Sequence, residues 1–230
     1  MDLRELLERQ AKAQAEKPAV IFRGQPISFR QLREVSFSAA AGLSSLGLSK
    51  GDKAAIFLPN TPEYIYSLLG VFILRGTAVP LDFMLTEEEL VNFINHSEAK
   101  VLIAQEKKDI RLAQIKTRCP GLREIVCIGA DNPDGFTPWQ QFLDSGKGAP
   151  QANADDKDYA AIFYTSGSTG HPKGVVLDYG HLQMPLNCFE YFLHPTEKDS
   201  LISPGIPFSH LGGLDYLLFM LYFGITLVLL

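Results

Sequence analysis

Short apolar runs alternate with longer amphipathic segments along most of the chain. The longer segments repeat their apolar side chains with the period of an α-helix, as Leu3, Leu6 and Leu7 do within residues 3–15. The short runs predict buried strands. Strands are expected at 19–22, 53–59, 77–82, 101–104, 124–129, 160–163 and 175–177. Helices are expected at 3–15, after Ser28, after Thr61, after Thr86 and at 106–118, with a short one within 137–144.

Capping residues stand where three of these helices should begin. Ser28 comes directly before one helical segment, and a serine side chain can accept from a free N–H of the first turn. Thr61 followed by Pro62 gives the preferred order of cap and first-turn proline. Thr86 and Glu89 have the spacing of a capping box. The three helix starts are therefore predicted by hydrogen-bonding side chains as well as by periodicity.

Strands that alternate with helices predict an α/β fold, with mostly parallel sheets and helices on both faces. Residues 145–157 are rich in Gly, Pro, Asp and Asn, which predicts a surface linker. This linker would divide the chain into an N-terminal α/β subdomain, residues 1–144, and the start of a second α/β sheet unit, residues 158–230.

The apolar segment 211–230 contains one charged residue, Asp215, in a length that could span a bilayer. The alternative is a buried helix followed by a buried strand. Gly224 interrupts the segment, and the run after it is short and rich in β-branched residues, as in a central parallel strand. No basic cluster flanks the segment. We therefore expect a helix and a strand rather than a membrane span.

Composition narrows the class of protein. Hydrophobic residues make up 46% and charged residues 20%, which excludes a disordered or fibrous chain. The net charge of −5 disfavours nucleic acid as a partner. The three cysteines form no C-x-x-C pair, which argues against a disulfide framework or a cysteine-rich zinc site. The N-terminus lacks the apolar segment of a secretory signal, so we expect a cytoplasmic protein.

Residues 159–177, YAAIFYTSGSTGHPKGVVL, give the strongest chemical signal. A loop rich in glycine and hydroxyl side chains follows an apolar strand, and Lys173 precedes the next one. Glycine lets backbone N–H groups approach an anion closely, hydroxyls can donate to phosphate oxygens, and lysine adds a positive charge. Each hydrogen bond to a charged group contributes ~1.5–3 kcal/mol, so several together would hold a triphosphate. The loop therefore predicts a phosphate site.

Two other interpretations of this loop agree less well with its sequence. A flexible surface hairpin has a similar Ser/Gly composition, but the order of apolar strand, loop and lysine favours the phosphate site. A Walker A loop, G-x-x-x-x-G-K-[ST], would need Gly in place of Pro172 and Ser or Thr in place of Gly174. A kinase or GTPase of that class is therefore disfavoured.

The segment YTSGSTGHPKGVVL resembles the phosphate-loop signature of the adenylate-forming superfamily. That group includes acyl-CoA synthetases, aryl-CoA ligases, luciferases and the adenylation domains of peptide synthetases. Three weaker motifs are similar to family elements and stand in the family order: ISFRQL at 27–32, ILRGTAVPLD at 73–82 and PFSHLGGL at 207–214. The resemblance spans essentially the whole chain and implies the fold of the large domain of an acyl-CoA synthetase.

The resemblance also implies a binding site for ATP. The β- and γ-phosphates would be contacted by Thr165, Ser166, Gly167, Ser168, Thr169, Gly170 and Lys173. His210 would lie near the carboxylate of the acid, and Gly212 and Gly213 would let their segment pack close to it. On the residue chemistry alone, a helix-capping or core histidine is the favoured interpretation of His210.

The implied reaction is attack of a carboxylic acid on the α-phosphate of ATP. It gives an acyl-adenylate and pyrophosphate, with Mg²⁺ bridging phosphate oxygens. Coenzyme A would then take the acyl group. Phe208, Leu211 and Leu214 indicate an apolar wall that suits fatty and aryl acids equally.

The family's later motifs, for adenine, for ribose and for the small C-terminal domain, are not found among these residues. We therefore expect the N-terminal part of the large domain, truncated at its C-terminal end and inactive alone. An unpaired apolar edge, where the sheet would continue, would favour a homodimer.

Three other functions remain open from the sequence. An adenylating enzyme could load a carrier protein instead of coenzyme A. A non-catalytic module could bind nucleotide without turnover. A membrane-associated scaffold could be built on residues 211–230.

Overall fold

The computed structural model describes residues 1–129, 135–165 and 173–230, which form eight helices and eleven strands. The helices are α1 (Leu3–Ala13), α2 (Phe29–Ser45), α3 (Pro62–Ile73), α4 (Glu87–Ser97), α5 (Leu112–Arg118), α6 (Trp139–Asp144), α7 (Gln183–Leu193) and α8 (Leu211–Phe223). The strands are β1 (Pro18–Phe22), β2 (Gln25–Ser28), β3 (Lys53–Phe57), β4 (Thr77–Pro80), β5 (Val101–Gln105), β6 (Glu124–Ile128), β7 (Thr137–Pro138), β8 (Tyr159–Thr165), β9 (Lys173–Asp178), β10 (Ser200–Ser203) and β11 (Thr226–Leu229).

The strands form two sheets. The larger has seven strands in the order β7-β6-β5-β3-β4-β8-β9, and only its β8–β9 pair is antiparallel. The smaller has the order β10-β11-β1-β2, and only its β1–β2 pair is antiparallel. The prediction of an α/β fold with mostly parallel sheets is confirmed.

The larger sheet is covered on both faces, as predicted. Ile56 and Ile103 belong to a core that includes buried side chains of α1, α2, α3 and α8 and reaches the smaller sheet. Phe57 and Leu102, which are sequence neighbours of Ile56 and Ile103, belong to a second core with α4 and α5. Successive side chains of a strand point to opposite faces, so helices must pack on both sides of the sheet.

Two of the three predicted helix caps are confirmed by reciprocal hydrogen bonds. The hydroxyl of Ser28 accepts from the backbone of Gln31, whose side chain accepts from the backbone of Ser28. Thr86 and Glu89 form the same capping box at α4. Thr61 precedes α3, but within the described residues its side chain makes no capping hydrogen bond. That start therefore depends on the proline in the first turn.

Other elements differ from the sequence expectation. The helix expected at 106–118 begins only at Leu112, because the polar residues before it form a turn held by Glu87, which accepts from the backbone of Arg111 at 3.0 Å. Strands β2 and β10 and helix α7 were not predicted. Helix α7 buries only Leu186, and most of its other apolar side chains are exposed.

The apolar segment 211–230 forms a helix and a strand. Gly224 has φ +65° and ends α8, and β11 follows directly. Strand β11 pairs with β10 on one side and β1 on the other, so it is a central strand. None of the helices in the described ranges is long and apolar enough to cross a membrane. The helix-and-strand interpretation is confirmed.

The last strand, β11, is not an edge of the smaller sheet, because it pairs on both sides. The edges of the smaller sheet are β2 and β10, and Ile202 of β10 is exposed. Association of two copies through a sheet edge stays a prediction.

The two sheets do not follow the predicted division of the chain. Strand β8 pairs with β4 of the N-terminal part, and β1 pairs with the C-terminal strand β11. Residues 145–157 are irregular, as expected of a linker, but hydrogen bonds join them to Arg4, Ser45 and Lys50 of the N-terminal part. A Cβ at Gly146 would lie 2.2 Å from the carbonyl carbon of Ala41 in α2. The segments 1–144 and 158–230 therefore share both sheets, and the domain boundaries themselves stay a prediction.

A buried arginine holds the start and the end of the β8–β9 hairpin. The guanidinium of Arg75 donates to the carboxylate of Asp158 at 3.2 Å and to the backbone carbonyl oxygens of Met1 and Asp155. It also lies 3.6 Å from the ring centroid of Tyr179. Asp158 comes just before β8, and Tyr179 comes just after β9. Arg75 therefore fixes the base of the hairpin from one position.

Arg75→Ala should lower the free energy of unfolding by about 3 kcal/mol, because it removes a buried cation and the hydrogen bonds that this cation donates to Met1, Asp155 and Asp158. Arg111→Ala is the control, since that side chain is 70% exposed and lies 3.8 Å from Glu87. We expect the control to cost ~0.5 kcal/mol or less. Urea unfolding measures both variants. Equal losses would contradict the role assigned to Arg75.

Candidate functional site

The predicted phosphate loop connects two antiparallel strands. Thr165 is the last residue of β8, Lys173 is the first of β9, and the two stand opposite each other in the ladder. The side chain of Lys173 is exposed. Five of the predicted phosphate contacts lie outside the described residues: Ser166, Gly167, Ser168, Thr169 and Gly170. The structure thus gives the two ends of the loop and their place in the sheet.

A cavity of about 290 Å³ lies at the carboxyl ends of β4 and β8. These strands are parallel, so the residues that follow them meet at one edge of the sheet. Ligands of open α/β sheets bind at this edge. The apolar side chains of Leu81, Leu85 and Phe93 line the cavity. Its polar lining includes Asp82, Glu89, Tyr164 and His210.

His210 reaches this cavity from the beginning of α8. It occupies the N-cap position with an extended backbone, and its side chain is 59% exposed. Its Nε2 lies 3.0 Å from Oδ2 of Asp82, within hydrogen-bonding distance. The interpretation of a core histidine is wrong, because the ring is exposed. His210 does stand at a helix cap, but within the described residues its side chain bonds Asp82 rather than the helix backbone.

The segment that carries His210 is fixed by Asn60, at the end of β3. The amide nitrogen of Asn60 donates to the carbonyl of Ile206 at 2.8 Å, and its amide oxygen accepts from the backbone of Phe208 at 2.9 Å. The ring of Phe208 is buried against Tyr64, with centroids 5.3 Å apart. The side chain of Asn60 therefore forms hydrogen bonds with the main chain on both sides of Pro207.

Of the two glycines that follow His210, only Gly213 lies in close contact with its surroundings. A Cβ at Gly213 would lie 2.2 Å from the carbonyl oxygen of Pro207, so no larger residue fits there. At Gly212 the nearest such contact is 3.8 Å away, on Ile206. Close packing was expected at both glycines. It is found only at Gly213, which packs against Pro207 of the same segment.

Tyr164 forms the wall of the cavity next to the loop. Its ring stacks on Phe93 at 4.4 Å with an angle of 4°, and its hydroxyl lies 2.8 Å from Nδ1 of His96. Burial raises the pKa of Tyr164 to about 12, so the hydroxyl stays neutral at physiological pH. The residue just before the phosphate loop is therefore anchored to α4.

The buried hydroxyl of Tyr64 lies close enough to Asp82 to be affected by its charge. Burial, and then the negative charge of Asp82, raise the pKa of Tyr64 far above its ordinary value. Tyr64 therefore stays neutral. Glu89, also at the cavity, has a lowered pKa because its carboxylate accepts from the backbone and hydroxyl of Thr86. Glu89 is thus ionised at neutral pH.

Sequence reasoning missed Asp82, Asn60 and Tyr164 as members of the site. Asp82 follows β4 and accepts from the backbone N–H of Met84 at 2.8 Å. A signal was available, since polar residues directly after parallel strands meet at one edge. Which strands are neighbours was not visible in the sequence, so their partners could not be assigned.

Comparison with known proteins places the chain in a family. A family model described as AMP-binding enzyme matches residues 7–230. The 2-succinylbenzoate–CoA ligase of Bacillus velezensis is 31% identical over 224 residues, which are 97% of this chain and 43% of that protein. The long-chain-fatty-acid–CoA ligase FadD13 of Mycobacterium tuberculosis is 26% identical over 209 residues, 88% of this chain and 39% of that protein. The chain therefore spans less than half the length of these relatives.

The solved structures agree on the fold. The structure of the anthranilate CoA ligase AuaEII in complex with anthranoyl-AMP matches with a TM-score of 0.90 at 23% identity, over all of this chain and 45% of that one. An identity this low supports the fold alone. The family model covers nearly the whole chain, so the protein belongs to the family of AMP-binding enzymes that its motifs resemble.

Proposed function

We propose that the protein is part of an ATP-dependent carboxylate–CoA ligase. A carboxylate oxygen attacks the α-phosphorus of ATP, and the bond to the β-phosphate breaks, which gives an acyl-adenylate and pyrophosphate. The sulfur of coenzyme A then attacks the acyl carbon, its proton is lost to solvent, and AMP leaves. Relatives named as CoA ligases support this assignment. Because the chain covers 43% and 39% of them, the activity is proposed for the whole protein.

The observation that carries the proposal is the place of the hairpin beside the cavity. Tyr164, at the start of the loop, lines the same cavity as His210. A triphosphate held by the loop would therefore lie next to a substrate carboxylate at His210. Holding two reactants together in this way lowers the barrier by removing the entropy cost of their encounter.

Each predicted site residue has a role in this proposal. Lys173 and the backbone and hydroxyl groups of residues 165–170 would bind the β- and γ-phosphates, where positive charge and N–H donors are most effective. His210 would donate a hydrogen bond to the acid or to the developing adenylate. Asp82 and Asn60 support His210 and make no substrate contact of their own.

Mg²⁺ fits the proposal as a companion of the nucleotide. Such ions are commonly held by substrate phosphates and one or two carboxylates, and Glu89 places a carboxylate at the cavity. Within the ranges described, no group of three or more His, Cys, Asp or Glu side chains could form a protein cage. When bound with ATP, Mg²⁺ would neutralise charge on the phosphate oxygens.

Two alternatives to a CoA ligase follow from the sequence. An adenylating enzyme could load a carrier protein, and a non-catalytic module could bind nucleotide without turnover. The relatives that match nearly all of the chain are named as CoA ligases, which favours coenzyme A as the acceptor. The cavity at His210 favours an enzyme over a simple nucleotide-binding module, because binding of ATP alone would not require it.

Lys173→Ala should weaken ATP binding by residues 1–230 roughly tenfold or more, because it removes a charged donor worth ~1.5–3 kcal/mol. The exposed Lys198 gives a matched control, since Lys198→Ala removes the same charge away from the hairpin. A titration followed by ³¹P nuclear magnetic resonance measures weak binding directly. Equal affinities of the two variants would contradict a phosphate site at the loop.

Residues 1–230 alone should show no carboxylate-dependent exchange of labelled pyrophosphate into ATP above background. The reason is that the adenine and ribose contacts implied by the family resemblance have no counterpart among these residues. The Lys173→Ala variant gives the background rate. Robust exchange that requires a carboxylic acid would show that the 230 residues suffice for adenylation.

A further inference from the structure

The His210–Asp82 contact joins two distant parts of the chain at the cavity. Asp82 follows β4, and His210 begins α8. The Nε2 atom of His210 lies 3.0 Å from Oδ2 of Asp82. The other oxygen, Oδ1, accepts from the backbone N–H of Met84 at 2.8 Å. Each carboxylate oxygen thus has its own partner, and the main chain sets the orientation of the carboxylate.

The backbone of His210 is also fixed by hydrogen bonds. Its N–H donates to the carbonyl of Pro207 at 3.0 Å, and its carbonyl accepts from the N–H groups of Gly213 and Leu214. Asn60 holds the residues on both sides of Pro207. Only the side-chain torsions of His210 remain free, and the contact with Asp82 restricts them.

We propose that Asp82 is a positioning residue for His210, whose carboxylate holds the imidazole at the cavity wall so that a carboxylic acid meets one orientation of the ring. This inference rests on the proposed function. A group held in place before the substrate arrives loses little entropy in the reaction, which is why such support matters for a catalytic site.

The two effects of Asp82 on an acid in the cavity have opposite signs. Its negative charge repels a carboxylate, so if charge were its only effect, removal of Asp82 would strengthen binding of the acid. Its contact with His210 orders the ring, so if positioning dominates, removal of Asp82 weakens binding. The direction of the change therefore separates the two effects.

The order of the imidazole ring can be measured without any activity. Residues 1–230 are prepared with ¹³C-labelled histidine, and the His210 ring signal is assigned with the His210→Gln variant. Ring order is then compared, by ¹³C relaxation, between the parent protein, Asp82→Asn and Asp82→Ala. We expect the ring to lose order in Asp82→Ala, and to lose less in Asp82→Asn, which keeps an oxygen at the same place.

A second Asp–His pair provides the control. Oδ1 of Asp178 lies 2.6 Å from Nδ1 of His181, and neither residue lines the cavity. Asp178→Asn should leave the ring order of His210 unchanged. Circular dichroism verifies that each variant is folded, and if Asp82→Ala does not fold, Asp82→Asn carries the comparison.

The same samples are titrated with benzoate and with octanoate, as small probes of aryl and fatty acids. Asp82→Ala should bind them roughly fivefold more weakly, as expected for the loss of one ordered hydrogen bond. An unchanged ring order in the Asp82 variants, or tighter binding of the acids, would overturn the positioning role. If no protein, the parent included, binds either acid, a carboxylate site at His210 within residues 1–230 is contradicted, whereas the ring order still decides the role of Asp82.

Discussion

The parallel pairing of β4 with β8 is the contact on which the candidate site depends. The pair is registered through Ala78 and Ala161, both fully buried. Because the strands run in the same direction, Asp82 and Tyr164 emerge at one edge of the sheet. The small side chains allow close packing of helices on this central part of the sheet. Without this pairing, the phosphate hairpin and the His210 segment would have no common cavity.

Different residues hold the two ends of the β8–β9 hairpin strands. Arg75 joins the residues before β8 to Tyr179 after β9, while Phe93 and His96 of α4 hold Tyr164 near the loop. Both strands are thus anchored to buried or stacked side chains on the inner side of the hairpin. The outer strand β9 remains at the edge of the sheet, with Val175 partly exposed. Binding loops are commonly carried by a rigid scaffold, and the described strands of this hairpin provide one.

Much of the fold could be predicted from the sequence, because local signals and burial agree there. The capping boxes at Ser28 and Thr86 and the central strand after Gly224 are examples, since hydrogen-bonding side chains or short β-branched runs specify them. The division at 145–157 failed as a division between sheets, because strand order is set by contacts between distant segments. Helix α7 was missed since most of its apolar residues are exposed.

The candidate site could be predicted only in part, because only some of its residues belong to motifs that are local in sequence. The phosphate loop and His210 were found through motifs, which are local in sequence. The partners of this segment were not, because the contact of His210 with Asp82 spans 128 residues and that of Phe208 with Asn60 spans 148 residues. The family motifs therefore indicated which residues to examine, and the sheet topology showed how they are brought together.

The central claim is that nucleotide phosphates bind at the loop beside the His210 cavity. Paramagnetic broadening by manganese–ATP tests it most directly, since the ion travels with the phosphates and broadens only nearby signals. Binding at the loop predicts broadening of the His210 ring and the Tyr164 amide, with little effect on His181 beyond the far end of β9, about 15–20 Å along the strand from Lys173. Broadening centred on His181, or none at saturating manganese–ATP, would contradict the claim.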